Sequence, residues 1–108
     1  MIEKTYEFTI AETKTIERVI DDENVNINHI VLEKGDSLPV HNANSNVYLV
    51  IARGVLSVSL AEQDVHAYRA GSIVNVPYGT RMHIRNEDDA VLEFFVFKSP
   101  NPRTYSEK

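Results

Sequence analysis

Apolar and polar positions alternate with a period of two through nearly every segment of the chain, and no stretch repeats at helical spacing. The pattern predicts an all-β protein. Tyr6, Phe8 and Ile10 alternate with charged or small residues, and Thr15 to Ile20 forms a second run before the polar turn Asp21-Asp22-Glu23-Asn24. Val25 to Glu33 follows, then Ser37 to Ala43, Val47 to Arg53, Val55 to Leu60, Val65 to Tyr68, Ser72 to Val76, Met82 to Asn86 and Val91 to Lys98. About ten short strands so closely spaced predict a sandwich or barrel.

All four glycines, Gly35, Gly54, Gly71 and Gly79, fall at the ends of these runs, where a tight turn or a positive φ is expected. Ser99-Pro100-Asn101-Pro102 cannot continue a ladder, so regular structure is expected to stop there and leave Arg103 to Lys108 loosely held. With no internal repeat, linker or low-complexity tract, residues 1–108 read as one domain.

A chain of 108 residues can bury a modest core without a disulfide or structural metal. It contains no cysteine, which excludes disulfides, thiolate zinc sites and cysteine nucleophiles; any metal would need nitrogen or oxygen ligands. Sixteen acidic against eleven basic residues give a net charge of −5, and the basic ones are scattered from Lys4 to Lys108. Nucleic acid, which calls for a concentrated positive face, is not an expected partner. No apolar run approaches a membrane span, and Met1 to Ile10 carries neither a signal-peptide core nor an Arg-rich transit pattern, so the expected location is the cytoplasm.

Gly35, His41 and Gly54 keep the intervals of the motif G-x5-H-x-H-x3-E-x6-G, and Gly71, Pro77, Gly79 and Asn86 keep those of G-x5-P-x-G-x2-H-x3-N. Over residues 25–100, with motifs at 35–54 and 71–86, the chain resembles the cupin family. The resemblance implies a single-domain β-jelly roll, the double-stranded β-helix barrel. It also implies a metal held by four residues, whose positions here are His41, Ala43, Val47 and Met82. One ligand of four is present, so the metal site reads as degenerate, with no cofactor expected.

Strand parity predicts that Val47, Leu49 and Ile51 share an inward face, as do Met82 and Ile84, which turns His83 outward. Only a bulge near Arg81 would re-aim His83. The expected pocket is lined by His41, Ala43, Asn44, Val47, Leu49 and Met82, and it is mainly apolar. Asn42, Asn44, Ser45 and Asn46 could orient a polar ligand at its mouth or simply shape a turn, and Tyr78 has the same two readings. His29 and His66 read as hydrogen-bonded structural histidines, and Glu87-Asp88-Asp89 as a solvated turn. No nucleophile with an adjacent base and no phosphate loop can be assembled.

The expected function is metal-independent binding of a small organic ligand, or a sensing or scaffolding role. One alternative is a metal-dependent isomerase or dioxygenase using His41 and a re-aimed His83. Another is an assembly module with a vestigial pocket. Strands apolar on both faces, with Tyr48, Val50 and Ala52 outward on one and Phe95 and Phe97 on another, predict a homodimer.

Overall fold

The computed structural model describes residues 1–106. Nine strands form: β1 (Thr15–Asp21), β2 (Asn26–Leu32), β3 (His41–Asn42), β4 (Val47–Arg53), β5 (Val55–Leu60), β6 (His66–Arg69), β7 (Ile73–Val76), β8 (Arg81–Arg85) and β9 (Leu92–Lys98). They make a five-stranded sheet in the order β1-β2-β9-β4-β7 and a four-stranded sheet in the order β3-β8-β5-β6, with every pairing antiparallel. This is the expected jelly roll.

β4 and β9 bury one parity, whereas β2 buries His29 and Val31 on its outer side as well as Ile30 and Leu32 on its inner one. Leu92, Phe94 and Val96 of β9 meet Val47, Leu49 and Ile51 of β4 and, from the facing sheet, Leu56, Val58, Met82 and Ile84. That shared interior is the apolar burial that drives the two sheets together. The glycines turn the chain at its corners. At Gly54, φ is +79° and an added Cβ would lie 2.3 Å from the Val91 carbonyl oxygen, so the tight β4–β5 connection admits no side chain.

Three expectations are corrected. Tyr6, Phe8 and Ile10 form no strand and leave β1 as the sheet edge; Thr9 is bonded to the Glu17 side chain, and Phe8 lays its ring over the outer face, 4.7 Å from His29 and 5.0 Å from Phe95 between centroids. Ser37 to Ala43 reduces to β3 and an isolated bridge from Ser37 to Arg85, since Pro39 has no N–H to give a ladder. The tail is tied down up to the limit of the described residues. Asn101 is 2% exposed and donates to Asp21 Oδ1 (2.6 Å) and the Asp22 carbonyl (2.8 Å), and a short helix α1 (Arg103–Ser106) brings Tyr105 against Tyr78. Glu107 and Lys108 lie outside the described residues.

Candidate functional site

The register that closes the barrel also builds its cavity. His41 of β3 pairs directly with Met82 of β8, while Val47 of β4 pairs with Lys98 of β9 on the opposing sheet. Between them opens a cavity of about 200 Å³, walled by Ile30, Leu38, Ile84 and Val96 as well as His41, Val47 and Met82. Three of the four family ligand positions therefore face one space. Of the other expected lining residues, Leu49 sits one pleat deeper, fully buried opposite Val96 and Val74, and Ala43 is buried in the core with its backbone bonded to Thr80 and Gly79. Asn44 is exposed and lines a neighbouring depression, because the turn after it is drawn toward the tail by the Ser45 hydroxyl donating to the Pro100 carbonyl.

His41 is solvent-accessible, and its Nδ1 lies 3.0 Å from the Pro39 carbonyl. A carbonyl only accepts, so Nδ1 is the donor in that contact. One imidazole with Ala43, Val47 and Met82 does not fit the family's divalent cation, which needs about three protein ligands. Among the described residues, no three His, Cys, Asp or Glu side chains group as a metal site. His83 does not fill the gap. β8 runs against β5 in unbroken register from Met82 to Arg85, so no bulge turns His83 toward Met82 and Ile84; it is half-buried on the outer face opposite Ser59.

The cavity is more polar than the sequence predicts. On β2 the parity of Ile30 and Leu32 continues to Asn28 and Asn26, and on β9 the parity of Phe94 and Val96 continues to Lys98. Asn28 and Lys98 line both the cavity and the adjoining depression, about 660 Å³, which also takes in Arg18, Asp21, Asn26, Asn101 and Arg103. Burial, and then the charge of Arg18, hold the Lys98 ammonium below its ordinary range. Asn26 is 8% exposed and its Oδ1 has no partner. Such an orphan acceptor costs about 1–3 kcal/mol, which a hydrogen-bond donor entering the depression would relieve. The parity count on β2 and β9 was the available sequence signal for Asn26, Asn28 and Lys98.

His29 lies on the other side of the sheet and is structural. It is fully buried, with Nδ1 2.7 Å from Glu17 Oε2 and Nε2 2.6 Å from Glu93 Oε2. Arg53 donates to Glu93 (2.8 Å), Glu12 (2.8 Å) and the Ala11 carbonyl (2.8 Å), and Thr9 donates twice to Glu17. The backbone bond from Thr9 and then the bond from His29 hold Glu17 below the ordinary carboxylate range. Burial pushes Glu93 up, but bonds and charge from His29 and Arg53 outweigh it and bring the net value down. His66 is exposed on β6, its ring edge-on to Tyr68. Glu87, Asp88 and Asp89 form the exposed turn expected of them.

No family model matches the chain. It is 46% identical over 104 residues to protein MJ0764 of Methanocaldococcus jannaschii, across 95% of this chain and 90% of that one. The 1.70 Å crystal structure of MJ0764, an RmlC-like cupin family protein with a double-stranded β-helix fold, superposes with a TM-score of 0.94 over 98% of both chains at 45% identity. Two more distant structures share the fold alone. A double-stranded β-helix protein of Klebsiella pneumoniae has a TM-score of 0.75 at 13% identity, covering 89% of this chain and 84% of its own. The cupin domain of Schizosaccharomyces pombe Cnp3 has a TM-score of 0.73 at 14% identity, covering 85% and 68%. No helix among the described residues is long and apolar enough to cross a membrane. A chain that keeps the spacing of both motifs, closes the same barrel and aligns end to end with MJ0764 belongs to the cupin family.

Proposed function

We propose that the protein binds a small organic ligand in the cavity between its sheets without a metal, in a sensing or scaffolding role. The observation that carries this reading is the cavity itself, where His41, Val47 and Met82 converge and the imidazole is the only nitrogen ligand among them. Binding sites are concave and mostly apolar with a few fixed polar groups, which is the make-up of this one. At about 200 Å³ it lies below the about 300–1,000 Å³ of drug-sized sites, so the ligand is small. The metal-dependent isomerase or dioxygenase reading needs His83 beside His41, and the parity of β8 speaks against it.

Metal analysis of protein purified without chelators, followed by native mass spectrometry, tests the reading. The expected result is well under one equivalent of Mn, Fe, Ni, Cu or Zn, with an organic adduct that Met82→Trp displaces by filling the cavity. A stoichiometric metal that survives dialysis and disappears in His41→Ala would overturn it.

The outer face of the five-stranded sheet supports a second element of the proposal, a homodimer. Phe8 packs its ring on Phe95 and His29, while Ile73 is 68% and Tyr48 40% exposed beside Val50 in the same sheet. A repeated apolar patch is most simply closed by an isologous two-fold contact.

A further inference from the structure

Lys98 is a cation on the core-facing side of a strand. Its three predecessors on that face, Leu92, Phe94 and Val96, are all buried in the interior. Arg18 of β1 and Arg103 of α1 come to the same corner from distant parts of the chain, and both pair with one carboxylate, Asp21, at 3.3 Å and 3.2 Å. That carboxylate is further engaged by Asn101. Lys98 forms no ion pair with any of the described residues, although its side chain borders both the apolar cavity and the polar depression. A half-buried ammonium without a counter-charge is a costly arrangement, and an acidic chain with net charge −5 had carboxylates to spare for it.

We propose that the ligand is a small organic monocarboxylic acid, its carboxylate seated on Lys98 at the junction of the two spaces and its apolar part running into the cavity toward Val47 and Met82. The inference rests on the reading of the cavity as a binding site and adds the class of ligand. Asn26 stands directly opposite Lys98 on the neighbouring strand, and Asn28, two residues along and lining both spaces, has an amide N–H group that can donate to the carboxylate head of the ligand. Arg18 reinforces the positive potential from the next strand, which both lowers the Lys98 pKa and favours an anion beside it. The division of labour is that of an amphipathic acid: polar head at the rim, chain between the sheets.

The probes are hexanoate and hexan-1-ol, titrated calorimetrically into wild type, Lys98→Met and Lys98→Arg. Wild type should prefer hexanoate over hexanol, and Lys98→Met should lose about ten- to a hundred-fold in hexanoate affinity, the worth of a charge-assisted hydrogen bond. Hexanol should bind Lys98→Met at least as well as wild type, since methionine keeps an unbranched side chain only one atom shorter and removes the ammonium. Lys98→Arg should recover part of the hexanoate affinity and shows that loss in the methionine variant is not misfolding. If wild type binds the two probes equally, or hexanoate affinity is unchanged in Lys98→Met, the acid is wrong and the cavity reading stands. If neither probe binds, both are overturned.

Discussion

Replacing His29 by alanine removes the centre of the outer-face charge chain, and its cost can be worked from the geometry. The ring is fully buried and donates to Glu93, whose side chain is 12% exposed, at 2.6 Å. Glu93 keeps its bond from Arg53, so the loss on that side is one charge-assisted hydrogen bond, about 1.5–3 kcal/mol. The contact from Nδ1 to Glu17 is lost as well, at a partly exposed carboxylate where solvent screening leaves it little weight. The ring also sits between Phe8 and Phe95, at 4.7 and 4.9 Å, and losing those contacts adds about 0.5–1.5 kcal/mol. Together these give about 3 kcal/mol. With a urea dependence of about 1.5 kcal/mol per molar, the unfolding midpoint should fall by about 2 M with an unchanged slope. Acid provides the second reading. Glu17 and Glu93 are held below their unfolded values, so their contribution is complete above the ordinary carboxylate range and is lost as pH falls through the depressed folded values. Alanine at position 29 releases the part of that depression that His29 supplies, while Thr9 and Arg53 keep the rest, so the gap between wild type and variant should narrow on acidification. A loss under about 1 kcal/mol, or a gap that stays constant through the carboxylate range, would refute the account of His29 as the bridge between the two acids.

Two further outcomes follow from strand parity. Met82→Ala should cost about 2–5 kcal/mol, because Met82 is 2% exposed, whereas His83→Ala should stay within about 1 kcal/mol; chemical denaturation of both variants checks the order, and its reversal would mean a bulged β8. Light scattering at micromolar concentration should report twice the 12.3 kDa chain mass, with Val50→Glu shifting it toward monomer, and a wild-type mass that stays at the single-chain value would refute the dimer.

The residue pattern carried the barrel and much less of the site. β4 and β5 match the alternating runs Val47 to Arg53 and Val55 to Leu60 end to end, because both strands are interior to their sheets and bury one full parity. Alternation failed at Tyr6, Phe8 and Ile10, where side chains, Thr9 on Glu17 and Phe8 on His29 and Phe95, hold the segment in place of a ladder. The cationic corner was hidden because Arg18 is remote in sequence from Lys98 and Arg103, and only the β1-β2-β9 register and the docking of the tail assemble the three. Lys98 itself was legible by counting two beyond Val96. Asn101 was not, as its partners Asp21 and Asp22 are about eighty positions away.

Asn86 joins three segments at one end of the barrel. Its Nδ2 donates to the Leu32 and Ala90 carbonyls, both at 2.9 Å, and its Oδ1 accepts from the Asp88 N–H. Its own backbone accepts from Gly35 and donates to Asp36. Lys98 and Asn26 stand at the opposite end of the same two strands that Leu92 and Leu32 begin and finish there. The backbone of β9 thus starts beside a knot of buried amide bonds and ends beside an open depression, so its amide protons near Leu92 should outlast those near Lys98 in exchange with solvent.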